Sequence, residues 1–277
     1  MGLLKQIFNF YLDSSVHVAL AVFSLSWITL LEFHIPYDES VLFFIFFASI
    51  SGYNFVKYFG RARFHHRSLM SRLKLIQVFS LLCFLLMCYY AWHLELKTLL
   101  YIIGFGLLTF LYAVPVLPKN KIDDRHKTLR NVSGIKVYVI ALVWSGVTVL
   151  LPLLNNDFPV NADVVVTVCQ RFVFIIALMI PFEIRDLSYD SLRLATIPQQ
   201  IGVKKTKIIG VLLLMMFFFL ELFKDETNAY QLLALMMTAF ICLLFVVFAK
   251  TNQGKCYSAF WTEGVPIYWL ILLLLFL

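Results

Sequence analysis

The sequence predicts an all-α protein, a polytopic membrane bundle of nine transmembrane helices with its N-terminus inside and its C-terminus outside. Of the 277 residues, 61% are hydrophobic and only 14% are charged, whereas soluble domains carry about 25% charged residues. Apolar runs of about 20 residues, long enough to cross a bilayer, recur along the chain. They cover residues 14–34, 41–59, 73–92, 98–117, 132–153, 164–184, 207–223, 228–249 and 259–277.

The distribution of basic residues gives the predicted orientation. Most of the 23 Lys and Arg residues fall in loops at one end of the predicted spans, and the loops at the other end hold only Lys97 and Lys224. Because Lys and Arg are retained in cytoplasmic loops, the N-terminus is expected to be cytosolic. The net charge of +7 follows from this topology, so a nucleic-acid partner is not expected.

The connections between the runs are short, which predicts a single transmembrane domain over residues 1–277. Three cytosolic loops, 60–73, 118–131 and 185–206, are expected to cap a pocket that faces the cytosol. Residues 1–13 carry apolar side chains on one helical face, which predicts a short interfacial helix. The expected location is the bacterial inner (cytoplasmic) membrane, as an integral, multi-pass protein.

An acidic row follows the sixth apolar run. Glu183, Asp186 and Asp190 are three and four residues apart, so they share one face of a helix. Carboxylates at the edge of a membrane span are costly and need a partner. The spacing allows three arrangements: the carboxylates are held by a divalent cation, by basic groups from another helix, or by solvent together with Arg185 or Arg193. Mg²⁺ prefers carboxylate oxygens together with substrate phosphates.

A cationic face ends the second apolar run. Asn54, Lys57, Tyr58 and Arg61 follow the spacing i, i+3, i+4, i+7, so they lie on one side of a helix. This face predicts an anion site, but retention of cytosolic basic residues accounts for the same charges.

Further polar residues interrupt the apolar runs. Tyr112 ends the fourth run, and Lys119 follows it in a proline-containing loop. Lys136 and Arg171 are cations inside predicted spans. Lys136 is close enough to the inner face to reach it with its long side chain, whereas Arg171 needs a partner that the sequence does not identify.

These stretches, in this order and at these span ends, resemble the UbiA-type intramembrane prenyltransferase superfamily. Arg185-Asp186-Leu-Ser-Tyr-Asp190, followed by Thr196-Ile-Pro, is similar to the second aspartate-rich motif of that family. Tyr112-Ala-Val-Pro is similar to its Tyr-Ser-x-Pro-Pro segment. The resemblance implies nine helices, with Mg²⁺ and a prenyl diphosphate held between the second and the sixth.

The resemblance also implies roles for individual residues. Asp186 and Asp190 would be catalytic, and together with Glu183 they would bind the metal. The expected substrate-binding residues are Asn54, Lys57, Tyr58, Arg61, Tyr112, Lys119 and Arg185.

The first motif of the family, N-x-x-x-D-x-x-x-D, is degenerate in this chain. Asn54 stands in its first place, but Tyr58 and Ala62 stand where the two aspartates belong. Either Lys57 or Arg61 pairs with the acidic row and closes the pocket, or these cations replace one Mg²⁺ in binding a diphosphate and leave a single metal site.

The expected function is therefore open at one point. The protein would hold a prenyl diphosphate or related isoprenoid lipid in a cytosol-facing pocket and transfer the prenyl group to a small aromatic or lipid acceptor. The alternative is a catalytically inactive relative that serves as a lipid-binding protein or as a scaffold for a membrane-protein partner.

Overall fold

The computed structural model describes residues 2–58, 67–113, 134–188, 196–225 and 228–276, and side chains are described for these except 67–72, 112 and 113. Over these ranges the chain is helical and contains no strand. The α-helices are α1 (Leu3–Asp13), α2 (Val16–Glu32), α3 (Glu39–Tyr58), α4 (Arg67–Ala91), α5 (Leu96–Ala113), α6 (Ile135–Ser145), α7 (Leu151–Asn155), α8 (Ala162–Asp186), α9 (Ile197–Ile201), α10 (Val203–Leu220), α11 (Ala229–Phe248) and α12 (Val265–Phe276).

Short turns of other helix types extend some of these α-helices. A π-helical turn, Gly146–Leu150, joins α6 to α7, and a 3₁₀ turn, Glu221–Phe223, ends α10. A second π turn, Tyr257–Thr262, precedes α12. In this way α6 and α7 form one continuous stretch, and so do the turn and helix at the end of the chain.

Within the described ranges, seven helical stretches are long and apolar enough to cross a membrane: Glu39–Tyr58, Leu73–Ala91, Ile135–Asn155, Ala162–Asp186, Val203–Phe223, Ala229–Phe248 and Tyr257–Phe276. An eighth is added if α1 and α2, which meet at an angle of 56°, count as one span. The stretch Leu96–Leu111 of α5 is apolar but shorter. The predicted all-α, multi-pass membrane bundle is confirmed, whereas the count of nine, the orientation and the single domain remain predictions.

Helix α8 is the centre of the bundle. In its most apolar window 67% of the residues are buried within the protein, against 33% for α3 and 11% for the spanning part of α4. It packs against α6, α10 and α11. Phe174 of α8 stacks on Phe217 of α10 with ring centroids 4.8 Å apart, and its edge meets Trp269 of α12. Glu183 and Asp186 therefore lie at the end of the most enclosed helix.

The helix predicted over residues 1–13 is present as α1, and its interfacial location remains a prediction. Its first turns expose Leu3, Leu4 and Ile7, as expected of a helix whose apolar face enters the lipid interface. The chain then bends at Ser15, a residue other than glycine with a positive φ of 63°. This bend directs α2 into the bundle.

The predicted cytosolic loops differ from the structure in extent. Helix α4 begins at Arg67, so the second half of the predicted loop 60–73 is helical. Within the predicted loop 185–206, α9 forms a short helix that begins at a capping box between Thr196 and Gln199. Apolar character falls off gradually at helix ends, so composition alone does not locate them.

Candidate functional site

Two carboxylates and one lysine form the centre of the candidate site. Glu183 and Asp186 lie one turn apart at the end of α8, with side chains that are 3% and 22% exposed. Lys136, in the first turn of α6, places its Nζ 3.4 Å from Oε1 of Glu183 and 3.8 Å from Oδ2 of Asp186. The lysine therefore bridges the acidic row from a neighbouring helix.

Arg185 completes this group, which we call the Asp186 cluster: Lys136, Glu183, Arg185 and Asp186. Its Nε and Nη2 donate to Oδ1 of Asp186 over 2.8 and 2.7 Å, and its Nη1 donates to Oγ of Ser258 over 2.6 Å. Each oxygen of Asp186 thus faces a different cation. The cluster contains two acids and two bases, so its formal charge is zero.

Local structure explains why these side chains meet. Gly134, with a positive φ of 72°, precedes α6 and starts the helix two residues before Lys136. Nε2 of Gln253 donates to the carbonyl oxygen of Pro181 over 2.7 Å, which ties the last turns of α8 to the connection before α12. Packing of α6 along α8 then brings Lys136 to the acidic row.

Glu183 and Asp186, the described residues of the predicted metal site, do not form a site for a divalent ion by themselves. Two carboxylates are present, and Lys136 and Arg185 already provide positive charge to their oxygens. Among the described residues no group of three His, Cys, Asp or Glu side chains could hold a metal. The predicted Mg²⁺ site of Glu183, Asp186 and Asp190 now depends on Asp190, which lies outside the described ranges.

Asn54 has a structural environment. Its side chain is buried, and Oδ1 accepts from Oγ of Ser15 over 2.8 Å. Its Nδ2 donates to the carbonyl oxygen of Ser14 over 2.9 Å and to Oγ of Ser80 over 2.8 Å. The amide therefore holds the bend between α1 and α2 against α3 and α4. This structural role differs from the anion-binding role that the sequence pattern predicted.

Lys57 and Tyr58 also contact the bend. Nζ of Lys57 and the hydroxyl of Tyr58 each donate to the carbonyl oxygen of Asp13 over 2.8 Å. Lys255 pairs with the Asp13 carboxylate over 3.1 Å. These bonds satisfy the carbonyl end of α1, where cations are favoured by the helix dipole.

Glu263, a residue that the sequence did not single out, is an acid within electrostatic range of both predicted sides of the site. Lys57 of α3 and Arg185 of α8 are the cations whose charges act on its carboxylate. The residue follows the π turn that carries Ser258. π turns are frequent at functional sites, but they have no sequence signature that would have located this one.

Four predicted site residues lie partly or wholly outside the described set. Tyr112 belongs to α5, but its side chain is outside the described set. Arg61, Lys119 and Asp190 lie outside the described residues altogether. Their predicted roles remain predictions.

Lys136 is the main residue whose role was missed. Its expected environment was the membrane surface, but its ammonium group contacts Glu183 and Asp186. Of the three arrangements open for the acidic row, the described residues combine two: Lys136 is a basic group from another helix, and Arg185 is a neighbour on the same helix. A cation at the start of one span and carboxylates at the same end of another were the available signals.

An apolar cleft of about 540 Å³ lies apart from this cluster. It is lined by α1 to α4, including Phe10, Phe47 and Phe79. None of its lining residues belongs to the Asp186 cluster. The cleft has the chemistry of a site for a hydrocarbon chain.

A solved structure of digeranylgeranylglyceryl phosphate synthase has the same fold. The two superpose with a TM-score of 0.57 at 15% sequence identity, over 98% of this chain and 97% of that one. The resemblance to UbiA-type prenyltransferases is thereby confirmed at the level of the fold. No family model matches the chain, and no curated protein gives a significant match.

Proposed function

We propose that this protein binds an isoprenoid lipid with a phosphate or diphosphate head group at the Asp186 cluster, facing the cytosol. One observation carries the proposal: Lys136 and Arg185 approach Asp186 from two different helices. Arg and Lys are the side chains that bind phosphate, Arg through two parallel hydrogen bonds and Lys as a point charge. The shared fold with a phosphate-lipid synthase supports the same assignment.

The cluster keeps hydrogen-bond donors for such a ligand. An ammonium group has three donors and a guanidinium group has five. Lys136 directs its charge at two carboxylates, and Arg185 uses three bonds for Asp186 and Ser258. The remaining N–H groups can donate to phosphate oxygens while the carboxylates hold both cations in position.

The expected reaction is transfer of the prenyl group to a small aromatic or lipid acceptor. Lys136 and Arg185 would stabilise the departing diphosphate, since preorganised positive charge is most effective where negative charge develops. The acceptor, a bacterial inner membrane location and a membrane-protein partner are parts of this proposal.

A catalytically inactive lipid-binding or scaffold protein is the second candidate. The contacts of Asn54, Lys57 and Tyr58 favour it, because these residues hold the bend between α1 and α2. In this candidate the residues at the place of the first motif serve as a structural joint, and one side of the site is lost.

Binding and turnover separate the two candidates. Purified protein in lipid nanodiscs is incubated with radiolabelled farnesyl or geranylgeranyl diphosphate, and bound ligand is counted. We expect saturable binding that falls at least tenfold in Asp186→Asn, because Arg185 loses the carboxylate that orients it. Asp157→Asn is the matched control, since Asp157 pairs with Lys97 on a different part of the molecule.

The same samples with a panel of quinone-precursor acceptors report turnover. Diphosphate release that Asp186→Asn abolishes would sink the inactive alternative. Saturable binding without release, with every acceptor and with or without Mg²⁺, supports that alternative. The absence of binding of either prenyl diphosphate contradicts the main proposal.

A further inference from the structure

We propose that Lys136 takes the place of a divalent cation at the Asp186 cluster, so that the head group binds without a metal ion. This inference rests on the proposed function, because it concerns the ligand of the same site. Lys136 lies between Glu183 and Asp186, at 3.4 and 3.8 Å from one oxygen of each. A bridging metal ion would have the same role, because it too would be a cation that joins two carboxylates one helical turn apart.

The burial of the three groups supports this role. The Glu183 side chain is 3% exposed, and those of Lys136 and Asp186 are 25% and 22% exposed. An acid as buried as Glu183 requires a nearby positive charge. Lys136 provides that charge, so the carboxylate has no need of a metal for its neutralisation.

Both carboxylate oxygens of Asp186 already face a cation, which leaves little room for a metal ion. Oδ1 accepts two hydrogen bonds from Arg185, and Oδ2 faces Lys136. A divalent ion placed between the carboxylates would lie against the lysine ammonium group and be repelled by it. Metal binding would therefore require Lys136 to leave the cluster.

The lysine can also replace a metal as a bridge to the ligand. Mg²⁺ joins protein carboxylates to substrate phosphates. The Lys136 ammonium group has three donors and lies within ion-pair distance of Glu183 and Asp186, so a donor is left for a phosphate oxygen. Arg185 would hold a second oxygen of the same head group.

Removal of the lysine tests the inference. Binding of radiolabelled geranylgeranyl diphosphate is measured for the wild-type chain, Lys136→Met and the control Lys97→Met, each in EDTA and in Mg²⁺. Methionine keeps an unbranched apolar stem and removes the charge. We expect wild type and Lys97→Met to bind equally with EDTA and with Mg²⁺. Lys136→Met should bind at least tenfold more weakly in EDTA and regain affinity when Mg²⁺ is added.

A second readout does not depend on the lipid. Free Mn²⁺ is followed by electron paramagnetic resonance during titration of each protein. We expect Lys136→Met to bind one Mn²⁺ at least tenfold more tightly than wild type, and Asp186→Asn added to that variant should abolish the gain. Mn²⁺ binding by the wild type that Asp186→Asn removes would overturn the inference.

The outcomes distinguish this inference from the proposed function. Wild-type lipid binding that EDTA abolishes and Mg²⁺ restores overturns the metal-free site but leaves the proposed ligand intact. No lipid binding under either condition contradicts the proposed function, and the Mn²⁺ titration then decides about Lys136 by itself. The wild-type comparison requires no substitution, so it holds even if Lys136→Met fails to fold.

Discussion

At the scale of single residues, Arg171 is the clearest case of a buried charge whose partner lies far away in the sequence. Its side chain is 1% exposed, and Nη2 lies 3.7 Å from Oε2 of Glu32. The guanidinium group lies 4.8 Å from the Trp269 ring centroid, and it also donates to Oγ1 of Thr29 over 3.4 Å. The sequence indicated that Arg171 needs a partner, but Glu32 belongs to a helix far away in the chain.

Two further charges, one acid and one base, extend this neutral pair to a group of four. Nζ of Lys224 lies 2.8 Å from Glu221 and 3.9 Å from Glu32. Gln170 donates to Oε2 of Glu221 over 2.8 Å. Two acids and two bases therefore join α2, α8 and the end of α10, so the loss of one member leaves a buried charge without compensation.

Arg171→Met is expected to destabilise the protein by about 3–5 kcal/mol, the usual cost when one partner of a buried ion pair is removed. The apparent midpoint of thermal unfolding, followed by tryptophan fluorescence in detergent, measures the loss. Lys97→Met is the control, because the Lys97–Asp157 pair is exposed and exposed pairs contribute about 0–1 kcal/mol.

A double substitution separates charge from packing. Arg171→Met combined with Glu32→Gln should be less destabilised than the sum of the two single changes, because both charges are removed together. Additive losses would show that Arg171 contributes through its packing on Trp269 and not through its charge.

At the scale of elements, one glycine allows three helices to approach closely. A Cβ atom added to Gly210 of α10 would lie 2.7 Å from Cδ1 of Ile180 in α8 and 2.7 Å from Cγ1 of Val246 in α11. Small residues permit such contacts between membrane helices. Gly104 of α5, in contrast, has no heavy atom within 4 Å of the corresponding position.

Gly210→Ala is expected to destabilise the bundle by about 1–3 kcal/mol, the range found for overpacked sites. Gly104→Ala should leave the midpoint of thermal unfolding unchanged or raise it, since alanine favours the helix over glycine. Equal midpoints for the two variants would show that the contact of α8, α10 and α11 at Gly210 is not tight.

The elements also show what a sequence can and cannot predict. The run 41–59 corresponds to α3, Glu39–Tyr58, because hydrophobicity is a local property that the sequence records directly. The π turn Tyr257–Thr262 and the bend at Ser15 were not predicted. Both depend on packing against other parts of the chain, which no short pattern contains.

At the scale of the whole molecule, the fold was predicted more completely than the site. The acidic row at the end of α8 was found because buried carboxylates in a membrane segment are unusual. Its partner Lys136 was not assigned, since the contact depends on how α6 packs along α8. The predicted opposite side, represented by Lys57, bonds the carbonyl end of α1.

Two features of the molecule, the charged Asp186 cluster and the apolar cleft, suggest competing positions for a lipid. In the proposed function the Asp186 cluster provides the donors for the phosphate, whereas the cleft lined by α1 to α4 provides only apolar contacts apart from Tyr11. The proposed function requires the head group at the cluster. A lipid bound by its chain alone would instead prefer the cleft.

A cryo-electron microscopy structure of the protein in nanodiscs with geranylgeranyl diphosphate and EDTA tests the central claim most directly. The account predicts head-group density within about 4 Å of Lys136 Nζ and the Arg185 guanidinium group, the distance of a direct ion pair. Ligand density confined to the cleft lined by α1 to α4, with no head group at Lys136 and Arg185, would contradict it.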